Sequence, residues 1–310
     1  MDIVKETGDI EQLRRNSGNL KFHLDAFIDG FRKELHLSND PVQHVRRYDD
    51  PRDREVAGLI TSALSYGNVK IILDSVDRAL SFLGPHPAEA VAAFHPQTDM
   101  KRLRGFYHRF NTGRDLAVYF WMIRRVLEDF GSIENAFLSG LPGMTDAADA
   151  GEGVKDVGVA MDHFSSLLLG FGHERFYPRG ELARRTAVRF FLPTPADGSA
   201  CKRMNLFLRW MVRPDDGVDC GVWAGLSPRS LVIPLDTHIA RISSYIGLTD
   251  RKSPGWAMAL DITRQLRVLD EEDPLQYDFA LCHLGIAGDC PRKRNPQKCA
   301  SCPILPVCRL

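Results

Sequence analysis

The chain has no run of about eighteen apolar residues, so nothing in it reads as a membrane-spanning helix. It has no net charge either: 40 Lys and Arg balance 40 Asp and Glu. That argues mildly against the broad basic surface that phosphate neutralisation favours. No segment alternates apolar and polar residues as a half-buried strand does, and no internal repeat is visible, which speaks against sandwich, barrel and solenoid architectures. Met1–Leu20 is charged and lacks the apolar core of a secretory leader, so the expectation is a cytoplasmic protein with reduced thiols and no membrane partner. Cysteine is scarce, with 7 in 310 residues.

What is present begins with the placement of those cysteines. Cys290, Cys299, Cys302 and Cys308 crowd the end of the chain in the spacing C-x8-C-x2-C-x5-C. Four thiolates so close together ligate a structural zinc, ligate an iron–sulfur cluster, or form disulfides. Disulfides fit least, because the thiols are expected to stay reduced and the other three cysteines, Cys201, Cys220 and Cys282, are scattered. Only Cys299–Cys302 has the two-residue knuckle that zinc ribbons use twice, and spacing alone leaves zinc and a cubane cluster both open.

An apolar fraction of 44% suffices for a sizeable core. Val69, Ile72, Leu73, Val76, Leu80 and Leu83 recur at helical spacing between an Asn68 cap and a Gly84-Pro85 stop. Leu116 to Phe130 mark another helix closed by Gly131, and Ala57 to Leu64 one before Tyr66-Gly67. Further helices are expected near Leu20–Leu35, Phe164–Leu169, Glu181–Phe191, Lys202–Val212, Thr237–Ile246, Trp256–Leu269 and Pro274–Ala287, with loops at Ala147–Lys155, Pro193–Gly198 and Pro214–Gly221. The fold class is all-α, a multi-helix bundle in two lobes. The first lobe spans 51–225, and the second combines 1–50 with 226–310.

Two acid–base candidates stand out. In Leu231–Gly247, Asp236 follows Pro234 and precedes a helix, where an N-cap belongs. Backbone N–H groups and the positive helix end there favour the ionised carboxylate, an anion suited to steadying a cation. In Pro195–Arg213, Gly198 and Ser199 open a helix and place Lys202 in its first turn. The helix dipole is expected to lower the pKa of a lysine so placed, as an amine nucleophile requires. Basic residues cluster at Lys202, Arg203, Arg209 and Arg213, and at Arg292, Lys293, Arg294 and Lys298. A solvated surface is the plain reading of each cluster.

Together these segments resemble the helix-hairpin-helix superfamily of DNA glycosylases, which contains endonuclease III, adenine glycosylase and the 8-oxoguanine glycosylases. The tail is similar to the endonuclease III loop around a [4Fe–4S] cluster, with the first gap two residues longer. Leu235-Asp236-Thr237-His238 resembles the stretch carrying the family's catalytic aspartate, and Val56–Leu64 followed by Ser65-Tyr66-Gly67-Asn68 resembles its early helix and DNA-wedging turn. The likeness covers roughly Val56 to Cys308. The hairpin signature is altered: Leu192-Pro193 remains, and Gly198-Ser199-Ala200-Cys201-Lys202 stands where its glycines and lysine would be. Lys202 and Asp236 are 34 residues apart, a long separation that resembles the archaeal 8-oxoguanine glycosylase. The wedging glutamine is missing, leaving Leu64, Tyr66 or Asn68 to fill the duplex.

The resemblance implies a monomeric DNA repair N-glycosylase with AP lyase activity, acting on double-stranded DNA that carries a lesion and associated with the nucleoid when bound. Asp236 would stabilise the sugar cation and Lys202 would form the Schiff base. The four cysteines would hold the cluster, with zinc as the alternative, and display Arg292, Lys293, Arg294 and Lys298 to phosphates. Gly198 and Ser199 would offer backbone N–H groups to a further phosphate. Trp210, His163 and His173 are pocket candidates whose plainer reading is packing or surface, and His238 a structural neighbour of Asp236. The contrasting reading is a non-catalytic, glycosylase-like nucleic-acid-binding iron–sulfur protein.

Overall fold

The computed structural model describes residues 17–141, 156–173, 175–177, 182 and 186–310. The expected Ala147–Lys155 loop lies outside the described residues, as does part of the expected Glu181–Phe191 helix; Ala187–Phe191 forms a 3-10 helix.

The chain is mostly helical, and the strongest helices begin and end where local chemistry directs. Val69–Leu83 starts at Asn68, whose side-chain oxygen accepts the Lys70 N–H at 3.0 Å, and stops at Gly84 with φ 77°. Gly113–Phe130 opens with a capping box, in which the Thr112 and Asp115 side chains each take the other's backbone N–H, and closes on left-handed Gly131. Pro51–Leu64 is the central element: eleven of its 14 residues are buried. It packs against Val42–Val45, Val69–Leu83 and Lys202–Val212. Gly58 permits the last contact, since a Cβ there would meet Met211 Cε at 2.9 Å and the Phe207 ring at 3.4 Å.

Three departures have local causes. The expected Leu20–Leu35 helix is split into 17–29 and Glu34–Leu37, because the first part ends at Gly30. Pro87–Ala92 and Pro96–Arg102 are short helices with proline at their first turn, too brief to show a period. Tyr107–His108 and Asn111–Thr112 form a two-stranded antiparallel hairpin, Tyr107 opposite Thr112, turning at Arg109 with φ 54°.

The amino-terminal segment is tied to distant parts of the chain. The Tyr277 hydroxyl donates to Asp25 at 2.6 Å, Lys33 pairs with Asp216 at 2.6 Å, and Arg46 donates to the Asp219 carbonyl at 2.7 Å. One buried apolar cluster runs from Leu24 to Ile304. No helix among the described residues is long and apolar enough to cross a membrane.

Candidate active site

Lys202 and Asp236 meet. Lys202 is the first residue of the helix Lys202–Val212. The approach to it turns through two left-handed residues, Gly198 at φ 73° and Cys201 at φ 49°. Gly198 and Ser199 therefore precede the helix rather than open it. The Gly198 N–H is committed to the Pro195 carbonyl at 2.8 Å, so it is not a free phosphate donor, and the Ser199 hydroxyl accepts the Cys201 N–H at 3.1 Å. Asp236 caps Thr237–Tyr245: its Oδ1 accepts the His238 and Ile239 N–H groups at 2.8 and 2.9 Å. Its Oδ2 is left to face the cavity, 3.5 Å from Lys202 Nζ, and accepts the Cys282 thiol at 3.6 Å.

The charge state of Lys202 departs from the helix-end expectation. Burial pulls its ammonium down, but the nearby Asp236 and Asp40 carboxylates outweigh that and raise its pKa above the ordinary lysine value. Burial, reinforced by Asp236 and Asp278, pushes the Cys282 thiol well above its usual range, so it remains a donor to Asp236.

These groups line a cavity of about 480 Å³. At one side lie Asp278 and Arg209, each side chain 3% exposed and joined to the other as an ion pair. Burial pushes the Asp278 carboxyl up to about 6 against the pull of Arg209. Another part of the lining is Asp40, whose Oδ1 accepts the Val42 N–H at 2.9 Å and whose Oδ2 lies 3.3 Å from His283 Nε2. Burial raises the Asp40 carboxyl, yet His283 and the Val42 N–H bring it below the usual range.

The basic cluster at 202–213 is not a surface. Arg203, Arg209 and Arg213 are buried. Arg203 donates to the Ala63 carbonyl at 2.9 Å and lies over the Phe190 ring. Arg209 donates to Asp219 at 3.0 Å, and Arg213 pairs with Asp219 and with Asp273. Asp219 is fully buried and serves both guanidiniums. Removing it breaks one buried ion pair at each of two guanidiniums, leaving Arg209 only Asp278 and Arg213 only Asp273 with Asp216, so Asp219→Ala is expected to lower unfolding free energy by about 3–5 kcal/mol. Urea denaturation of the variant beside the native chain measures this.

Gly67, Asn68, Ser65 and Val69 also line the cavity, so the turn with the wedge-like position sits beside Lys202 and Asp236. Leu64 is fully buried and unavailable as a wedge. Tyr66 is held half-buried among His108, Phe110 and Phe190, its hydroxyl bonded to the His108 carbonyl and to Asn111. Asn68 is exposed but spends its side chain on the cap. Trp210 and His173 are buried and His163 is exposed, and none of them lines the cavity. His238 lines it and also packs over Gly285, where a Cβ would come within 2.6 Å of the ring.

All seven cysteines are free of disulfides, the four of the tail among them. Burial raises the Cys290 thiol, and so do the neighbouring Cys302 and Cys308; Cys302 in turn feels Cys308 and Cys299. The four candidate ligands thus lie within one another's field, and a cavity of about 420 Å³ opens beside Cys302. Among the described residues no three His, Cys, Asp or Glu side chains are gathered as a set for a single ion. Of the four cysteines only Cys302 lines that cavity, beside Asp289, Gln297, Lys298 and Ser301. Arg292, Lys293, Arg294 and Lys298 are all exposed, although Lys298 Nζ also donates to the Gly288 carbonyl at 2.7 Å. The loop is laced to the helix that Asp236 caps. Arg241 donates to the Cys290 carbonyl at 3.0 Å, the Tyr245 hydroxyl to that of Arg292 at 2.9 Å, and the Arg309 N–H to that of Tyr245 at 2.7 Å.

Sequence reasoning missed Asp40, Asp278, Cys282 and His283, and placed Arg209 only in the basic cluster. A family model described as "Protein of unknown function (DUF2400)" matches residues 40–287, most of the chain, which is therefore a member of that family. No curated protein and no solved structure matches.

Proposed function

We propose that this member of the DUF2400 family is a DNA N-glycosylase with AP lyase activity, built on a two-lobed glycosylase-type bundle and acting on a damaged or mispaired base in duplex DNA. One observation carries the reading: residues 34 positions apart in the chain place a lysine ammonium 3.5 Å from an N-cap carboxylate at a cavity large enough for a flipped base. Cleaving an N-glycosidic bond builds positive charge on the sugar, and a fixed carboxylate opposite that charge lowers the barrier. Asp236 is assigned that role. Lys202, once deprotonated, attacks C1′. The new C–N bond forms as the bond to the base breaks, the base leaves with the electron pair, and ring opening gives the Schiff base.

The four tail cysteines would hold a [4Fe–4S] cluster, whose contribution is to fold the tail and present Arg292, Lys293, Arg294 and Lys298 to phosphates. Anaerobically purified chain is expected to be brown and to contain iron with acid-labile sulfide. Cys299→Ser is expected to lose both. A colourless protein with one tightly held zinc would remove the cluster from this reading.

The test of function is a set of duplexes, each carrying one lesion, incubated with the full chain and scored for free base and strand nicking. Release from at least one lesion is expected. Salt-dependent duplex binding with no release from any of them would assign the chain to a non-catalytic scaffold.

A further inference from the structure

We propose that the hairpin 107–112 is a duplex-opening wedge, with the exposed ring of Phe110 filling the space that a flipped base leaves and the Phe190 ring backing it. The proposal rests on the glycosylase reading of the cavity and supplies a part which that reading requires. A base that leaves the stack opens a gap of about 7 Å between its neighbours, two base spacings, and an inserted side chain keeps it open. The turn after Pro51–Leu64 has no side chain free for this. Leu64 is fully buried, the Tyr66 hydroxyl is bonded to the hairpin, and the Asn68 side chain caps a helix.

Phe110 and Phe190 present their rings on a fixed base. They are 49% and 40% exposed, with centroids 4.6 Å apart, and the Tyr66 ring lies 5.5 and 4.7 Å from them. The layer beneath is buried and bonded. His108 Nε2–H donates to the Tyr66 carbonyl at 3.1 Å, and Nδ1 lies 2.9 Å from the Ser75 hydroxyl. The Asn111 amide donates at 2.9 Å to the carbonyl of Ala187, first residue of the 3-10 helix that carries Phe190. Arg203, the residue after Lys202, donates to the Phe190 carbonyl. At the hairpin tip Arg109 folds back on Gly67, where a Cβ would meet its Cδ at 3.0 Å, and Gly67 lines the cavity that holds Lys202 and Asp236. The aromatic patch and the cavity therefore adjoin across Gly67.

The chemistry of the patch selects its occupant. Two exposed rings side by side offer a stacking face to a nucleobase, and a cation at the tip attracts the phosphates on either side of it. Arg109 is that cation: it is exposed, with its guanidinium 5.8 Å from the Tyr66 ring. It also holds a left-handed φ of 54°, a conformation that disfavours a side chain of its size, so the tip keeps its turn against local strain. On the neighbouring helix Asp74 is held by Arg78 at 3.1 Å, and Arg78 in turn donates to the Tyr107 carbonyl at 2.9 Å, which leaves the tip cationic. A second copy of the chain would find apolar contact here, but it would have no use for a cavity on the other side of Gly67.

The experiment compares two duplexes that differ at one position, where one carries a tetrahydrofuran abasic analogue and the other an ordinary base pair. Affinity of the full chain for each is read by fluorescence anisotropy for the native protein, Phe110→Ala and Phe110→Trp. The native chain is expected to prefer the gapped duplex. Phe110→Ala is expected to bind that duplex about 10- to 100-fold more weakly while binding the intact one as the native chain does. Phe110→Trp, which restores a ring, is expected to keep the preference, and its recovery shows that the position tolerates change without loss of fold. A loss equal on both duplexes would make Phe110 a general contact and overturn the wedge. So would a preference that survives Phe110→Ala, or a native chain that binds both duplexes alike. Sedimentation velocity covers the other occupant: a native dimer that Phe110→Ala dissolves, with duplex preference unchanged, would assign the patch to contact between copies. If the native chain binds neither duplex, the glycosylase reading falls and the wedge with it; if it releases a base while Phe110→Ala keeps the preference, the wedge alone falls.

Discussion

Lys202→Ala is expected to form no borohydride-stable adduct with an abasic duplex, whereas the native chain is expected to form one at a rate that climbs steeply with pH. Both results follow from the ammonium held against Asp236 at 3.5 Å. Reduction by borohydride traps an imine carbon bound to an amine, so loss of the lysine amine placed beside Asp236 is expected to remove the adduct altogether. The pH dependence follows from the raised pKa. A lysine above its ordinary value of about 10.4 is less than about one part in a thousand free amine at pH 7, and each pH unit toward 9 multiplies that fraction about tenfold. A trapping rate flat between pH 7 and 9 would mean that Lys202 is not the group being deprotonated. An adduct that survives Lys202→Ala would remove this residue from the chemistry and leave water as the nucleophile.

Asp236→Asn separates the cap from the chemistry. Asparagine caps a helix about as well as aspartate, so the bonds to the His238 and Ile239 N–H groups remain possible and the fold is expected to persist. What disappears is the negative charge that partners Lys202 and, in the proposed reaction, would face the sugar. Removing a preorganised electrostatic group of this kind costs about 10²–10³ in rate. Base release is expected to fall by that factor while duplex affinity, measured by fluorescence anisotropy, holds. Undiminished release would make Asp236 a cap and nothing more.

The parts of this arrangement that were legible in sequence are those decided by near neighbours. A capping aspartate is recognised from the few residues after it, and a cysteine loop from its spacing. The remaining groups find their partners across long stretches of chain. Arg209 meets Asp278 69 residues on, Cys282 meets Asp236 46 residues back, and His283 meets Asp40 at a separation of 243. No periodicity encodes such meetings. The pKa of Lys202 departs from the local expectation for the same reason: the helix end is a local influence, and the carboxylates that raise it come from elsewhere. The arginines at 203, 209 and 213 looked like a solvated basic run because charge usually sits outside. On this helix every residue from Arg203 to Val212 is buried, so its arginines are matched by aspartates and carbonyls inside the protein.

The helix Thr237–Tyr245 has nine residues, about 13 Å of rod. Its first turn seats the carboxylate, and its last residue receives the backbone of Arg309 and donates to that of Arg292. The two ends are therefore one mechanical piece: the tail is the far bearing of the shaft on which Asp236 is mounted. Play in the cysteine loop becomes angular error at the opposite end, where the proposed reaction would need the anion held in place. Damage to the tail would be felt as lost alignment of the carboxylate well before it was felt as lost fold.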